Sequence, residues 1–147
     1  MLIGQGIPLN NKYDKLESLM IYIRRYAMEF FSSTEIDCKI SMPENFPDIE
    51  IEGELRRNIF LIIKESLHNV LKHSKGTMVI VTITCDDRFV NINVHDNGVG
   101  IDVAATSAFG NGLTNMKKRI EDVKGTLTMK NEDGTNLDFN FLLPHLK

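Results

Sequence analysis

Residues 77–85 read TMVIVTITC and residues 89–96 read FVNINVHD, with only Asp86, Asp87 and Arg88 between them. Apolar and polar side chains alternate in both runs. A period of two places one set on each face of a strand. Two such runs joined by three polar residues form a hairpin. The pattern returns near the end of the chain. There Leu137, Phe139, Phe141 and Leu143 alternate with polar residues over 135–143, after a strand over 126–131 and the turn NEDG. Strands of this kind build a sheet with one apolar face, and helices must cover that face.

The remaining periodicity supplies the helices. Asp14 with Glu17 three residues on is a capping-box-like start. Leu16, Leu19, Met20, Ile23, Ala27 and Phe30 then recur at helical spacing, which predicts a helix over 14–31. A short strand follows at 36–41, and the two prolines of PENFPD make 43–48 a loop. A second helix runs from 53 to 74 and stops near Gly76. A glycine-rich entry at 110–112 leads into a third, with Leu113, Met116, Ile120 and Val123 on one face. The order α-β-α-β-β-loop-α-β-β predicts an α+β fold. It is a two-layer sandwich of a mixed, mostly antiparallel sheet with helices on one face. Residues 1–12 read as a linker or a cut edge, and 13–147 as one domain.

Composition narrows the function. A net charge of −3 and a pI near 5.8 argue against a nucleic-acid binder. Cys38 and Cys85 match no metal spacing and read as reduced thiols of a cytosolic protein. No apolar run approaches the ~20 residues of a membrane span, and the opening residues are not expected to form a signal peptide.

Three stretches carry chemistry. On the second helix, Ile59, Phe60, Ile63, Leu67, Val70 and Leu71 gather on one side, with Asn58, Glu65, Asn69, Lys72 and His73 opposite. Glu65, Asn69 and His73 form one i, i+4, i+8 stripe. Most polar stripes are only solvated. This one places a carboxylate, an amide, a cation and an imidazole in adjacent turns, the set that a Mg–polyphosphate site requires. Ile62 interrupts the stripe as a candidate pocket wall. The second stretch, VHDNGVGID over 94–102, ends a strand with Asp96 and two glycines, Gly98 and Gly100, which permit close backbone approach. The third places Gly110 and Gly112 before a helix, whose free N–H groups and positive dipole end suit phosphate. Neither glycine cluster is a Walker loop or a dinucleotide fingerprint.

Taken in order, ESLHNVLKHS, DNGVGI and GNGLTNM resemble the N, G1 and G2 boxes of the GHKL (Bergerat-fold) ATP-binding superfamily. The closest resemblance is to the catalytic and ATP-binding domain of bacterial sensor histidine kinases, in the class paired with helix-turn-helix response regulators. It covers about residues 13–144 and includes the late Gly134–Thr135 pair. The resemblance implies binding of ATP with Mg2+. It gives Asp96 the adenine amine, Asn69 the metal, and Glu65 and Asn69 catalytic roles. Lys72 and His73 would lie near the phosphates. Gly98, Gly100 and Ile101 would border the base, and Gly110, Gly112 and Leu113 would hold phosphate oxygens. Thr135 would support the adenine pocket, and the small-residue run 101–109 would be an ATP lid. His68 departs from the smaller polar residue usual at its position, and EDVKG lacks a glycine pair often seen there.

None of His68, His73, His95 and His145 sits in a phosphoacceptor context. The implied function is therefore donation of the γ-phosphoryl group of ATP to a histidine on a dimerisation helix elsewhere in a longer parent chain, within a two-component phosphorelay. The partners would be those helices and a response regulator, with no nucleic acid. The isolated domain would be a cytoplasmic monomer, and an inner-membrane anchor would belong to the parent. The alternatives are a stand-alone anti-sigma-factor-type serine kinase and a GHKL ATPase module that couples hydrolysis to dimer closure. A degenerate domain that keeps the fold without useful nucleotide binding is a third alternative.

Overall fold

The computed structural model describes residues 15–100 and 112–144. The elements are α1 (Leu16–Phe31), β1 (Asp37–Ser41), α2 (Gly53–Asn69), β2 (Met78–Cys85), β3 (Phe89–Asp96), α3 (Gly112–Asp122), β4 (Thr126–Asn131) and β5 (Thr135–Leu142). The five strands form one sheet in the order β1-β2-β3-β5-β4. β1 runs parallel to β2, and the remaining pairs are antiparallel. The expected α+β architecture is present.

Alternation decides which face is covered. Val79, Val81 and Ile83 of β2, Val90, Ile92 and Val94 of β3, and Leu137, Phe139 and Phe141 of β5 are buried. They share one core with the apolar sides of the helices, among them Leu19, Ile23, Ile59, Ile63, Leu67, Met116 and Ile120. The other face of the sheet is mostly polar, with Ile80, Phe89 and Leu142 exposed on it. There Asp138 accepts hydrogen bonds from Asn91 Nδ2 at 3.0 Å and Asn93 Nδ2 at 3.1 Å. The hairpin turn is held by Asp86, whose Oδ1 accepts from the backbone N–H of Arg88 and Phe89, each at 2.8 Å. These bonds to the charged form hold the Asp86 carboxyl below its ordinary range.

The helices depart from expectation in three places. Lys15, extended at φ −83°, caps α1 without a side-chain hydrogen bond, and Asp14 lies outside the described residues. The second helix is α-helical only to Asn69. Val70–Ser74 then forms one π-helical turn, and Lys75 at φ 55° ends it in the left-handed region. The wider turn breaks the 100° register, so Leu71, expected on the apolar side, is exposed. Asn58 and Ile62 also move. Asn58 is buried and its Nδ2 donates to Arg119 O of α3 at 3.5 Å, while Ile62 is fully buried in the core.

α1 and α2 meet through aromatic rings. Tyr26 stands edge-on to Phe60 with centroids 5.2 Å apart, and Tyr22 tilts against the same ring at 5.4 Å. His68, the departure noted above, belongs to this contact. Its Nε2 lies 3.3 Å from Tyr26 Oη and its ring 4.5 Å from that of Phe30. Burial lowers its pKa from the ordinary 6.5, helped by Lys64 and Lys72 and opposed by Glu65. The folded state thus holds His68 neutral where the unfolded chain takes up a proton. Its contribution is complete above the unfolded value and is lost as pH falls through the lower folded one. Urea unfolding should show stability declining as pH drops below about 6.5. In His68→Gln that decline should be shallower; an unchanged slope would remove His68 as its source.

Candidate functional site

Asp96 is the last residue of β3, and the sequence around it explains how its carboxylate is held. It is 4% exposed. Its Oδ1 accepts two backbone hydrogen bonds, from Gly98 N–H at 2.8 Å and from Thr135 N–H at 3.2 Å. Oδ2 takes neither. Thr135 can reach because Gly134 precedes it. Gly134 has φ +120°, and a Cβ there would overlap the Asp96 carbonyl oxygen. Only glycine lets the β4–β5 turn pass so close behind β3.

The facing wall is the end of α2. Asn69 is 8% exposed, and its Nδ2 is buried with no hydrogen-bond acceptor. Leaving such a donor unmade costs roughly 1–3 kcal/mol. One turn earlier, the buried Ser66 is satisfied internally, its hydroxyl donating to Ile63 O at 2.8 Å. The π-helical turn then carries His73 and Ser74 to the same side. Ser66, Asn69, His73, Asp96, Gly100 and Thr135 line one hollow, with Val70, Ser74 and Leu137 completing it. Its volume is about 10 Å³, room for one water-sized sphere.

Five of the residues singled out in the sequence therefore meet here: Asn69, His73, Asp96, Gly100 and Thr135. The others are placed differently. Lys72 is exposed and does not line the hollow. Glu65 lines a separate depression between α2 and α3, with Lys64, Asn115, Met116 and Arg119. Gly98 is packed against the π-helical turn, where a Cβ would overlap the Ser74 carbonyl oxygen, which accepts from Val99 N–H at 2.7 Å. Gly112 opens α3. Ile101, Gly110, the proposed lid 101–109 and the side chain of Leu113 lie outside the described residues. Ser66, Ser74 and Leu137 were not visible as site residues in the sequence. A hydroxyl three residues before Asn69 is too common a feature to single out Ser66.

Among the described residues, no group of three or more His, Cys, Asp or Glu side chains could hold a metal. Both cysteines are free, and burial pushes each thiol up to about 11, so neither is a thiolate at neutral pH. No described helix is long and apolar enough to cross a membrane.

A helical layer thus covers one face of a mixed sheet, and at its edge the fixed carboxylate of Asp96 faces the buried amide of Asn69. Residues 54–147 match the family of histidine kinase-, DNA gyrase B- and HSP90-like ATPases, and the chain belongs to that family. It is 24% identical over 153 residues to the sensor protein VraS of Staphylococcus epidermidis, covering 92% of this chain and 44% of that protein. The same figures hold for VraS of Staphylococcus aureus. The chain thus spans less than half the length of these relatives. Among solved structures, it superposes with a TM-score of 0.71 on the histidine kinase domain of the Erythrobacter litoralis EL346 blue-light-activated histidine kinase. That match is 17% identical and covers 97% of this chain and 68% of the other. The nucleotide-free catalytic domain of histidine kinase ThkA gives 0.70 at 19% identity, covering 87% and 92%. The fold is that of these domains.

The tight contact at Gly98 makes a direct prediction. Gly98→Ala should cost about 3 kcal/mol by urea unfolding, the upper end for overpacking. Gly53→Ala, where the nearest atom to a new Cβ is 3.9 Å away, should be neutral or slightly stabilising. Equal effects at the two positions would deny the clash with Ser74.

Proposed function

We propose that this chain binds Mg-ATP in the hollow between Asp96 and Asn69. It then donates the γ-phosphoryl group to a histidine on a helix of a longer parent chain. The observation that carries the reading is the buried, unpartnered amide of Asn69, facing a carboxylate whose Oδ1 is already occupied. A buried polar group without a partner implies a ligand with one to offer. The amide can present its oxygen to a metal or its N–H to a phosphate oxygen, since the two ends exchange by a half-turn.

In this reading Asp96 Oδ2 accepts from the exocyclic amine of adenine. The two backbone N–H groups on Oδ1 fix the carboxylate in place, so little reorganisation is needed when the base arrives. Guanine presents a carbonyl at that position and is rejected. His73 would lie toward the phosphates, and the N–H groups at the start of α3 near Gly112 would suit a phosphate oxygen. Asn69 would hold the magnesium through its amide oxygen, and the metal would supply charge neutralisation to the phosphoryl oxygens. Glu65 is one turn from Asn69 but faces α3. It serves the transferred group only if the arriving helix or a water bridges that distance. Phosphoryl transfer depends chiefly on positioning and charge neutralisation, so no protein nucleophile is required on this chain. The acceptor regulator and the cytoplasmic setting follow from the same reading. Relatives that are sensor proteins do not favour the anti-sigma alternative.

A thermal melt with Mg-ATP at about 100 times its dissociation constant should add roughly 2.7 kcal/mol. For a domain of this size that raises Tm on the order of 5–10 °C. Mg-GTP should give no shift, and absence of a shift with millimolar Mg-ATP would overturn the reading. Asp96→Asn should weaken ATP at least about tenfold, the loss of one hydrogen bond to a charged group, with little change in apo stability. An unchanged dissociation constant would remove Asp96 from the adenine site. In Asn69→Ala the enhancement of ATP affinity by Mg2+ should disappear; if it persists, Asn69 is not the metal ligand.

A further inference from the structure

The hollow has two ends on two different elements. Asp96 stands at the end of β3, while Asn69 and His73 stand on the last turns of α2. No helix or strand spans them. A ligand that reaches from one to the other therefore depends on whatever fixes the β3 end against the π-helical turn.

That connection is made by Asn97, an exposed residue that does not line the hollow. Its Oδ1 accepts from two successive backbone N–H groups, Thr77 at 2.8 Å and Met78 at 2.9 Å. Its Nδ2 donates to Thr77 Oγ1 at 3.0 Å. Its own N–H donates to Met78 O at 3.1 Å, and two residues on, Val99 N–H donates to Ser74 O at 2.7 Å. The side chain thus carries the β2–β3 ladder one step past its last pair, Val79 with Asp96. It closes the turn 74–78 onto the turn 96–100. An exposed asparagine serving only as a turn residue has no need of two backbone donors from another element. Aspartate alone would accept both N–H groups and could in turn accept from the Thr77 hydroxyl. Alanine removes all three side-chain bonds.

We infer that Asn97 is a positioning residue that sets the spacing between the Asp96 end and the Asn69–His73 end of the site, and so tunes affinity for ligands that bridge both. This rests on the nucleotide reading above. Asn97 touches neither end of the ligand. Its loss weakens a bridging ligand and spares one that occupies the Asp96 end alone.

The test compares ATP, which bridges, with adenosine, which does not. Affinities are taken by chemical-shift titration on the whole chain, after a melt establishes that each variant is folded. In Asn97→Ala the ATP affinity should fall at least about tenfold, with adenosine within about twofold of the parent. Asn97→Asp should recover ATP to within about threefold. Thr77→Val, which removes one of the three side-chain bonds, should lie between. Hydrogen exchange at the Val99 amide should quicken in Asn97→Ala and return to the parent rate in Asn97→Asp. Equal losses for ATP and adenosine, or no loss for ATP, would overturn the positioning role while leaving nucleotide binding intact. A parent chain that binds neither ligand would overturn both readings together.

Discussion

The carbonyl oxygen of Ser74 occupies the place where a side chain at residue 98 would begin. Much of the site is arranged around that contact. The end of β3 can approach α2 only because position 98 has no Cβ, and the approach lets Val99 N–H meet the Ser74 carbonyl. That carbonyl is one of the groups a helix leaves unsatisfied at its C-terminus, so one bond serves both elements. The same approach brings Asp96 opposite Asn69. Without it, the carboxylate and the amide would sit on separate edges of the domain, and neither would have reason to be buried.

Stability and site chemistry are divided between the two layers. The aromatic contacts of Tyr22, Tyr26 and Phe60 and the strand residues of the covered face hold the fold by burial. They need nothing from the hollow. The site works against that economy. It keeps an amide donor unpaired at Asn69 and a carboxylate nearly out of solvent at Asp96, both of which cost free energy in the empty protein. The two backbone N–H groups on Asp96 Oδ1 offset part of that cost, and in the proposed reading a bound ligand would offset the remainder. A domain that had lost its ligand would gain by filling these positions with apolar side chains of similar size.

The sheet is legible in the sequence because a period of two admits only one burial pattern for each strand. Leu137, Phe139 and Phe141 have nowhere else to go once Asn136, Asp138 and Asn140 face water. The helices are legible in place but not in every turn. A 100° wheel drawn through residues 53–74 assumes one regular helix throughout and cannot foresee the π-helical turn of Val70–Ser74. Leu71 consequently faces out, and His73 is carried into the hollow while its neighbour Lys72 is not. The same limit applies to Glu65. Its i, i+4 spacing from Asn69 is real, yet the packing of α3 along α2 turns that face toward Asn115 and Arg119. The glycines show a subtler gap. Sequence supports a close approach at Gly98 but cannot say what approaches, and the neighbour is the protein's own backbone. Asn97 is the extreme case, because every partner of its side chain lies in another element.

These placements bear on how a phosphoryl group could be passed on from such a site. Asp96 and Thr135 close one end of the hollow with sheet residues that the core holds fast. Asn69 and His73 form the other end on the final turns of a helix, where one π-helical turn already departs from regular geometry. In the nucleotide reading proposed above, binding at the Asp96 end would fix the base, and adjustment at the helical end would move the phosphates. An acceptor histidine on a separate helix must meet the γ-phosphoryl group at a few ångströms and in line with the bond that breaks. A site rigid at both ends could satisfy that requirement only if the helix arrived without error. Rigidity at the Asp96 end and latitude at the helical end would relax it. The latitude is useful only within bounds, and the bonds between the 74–78 and 96–100 turns supply those bounds.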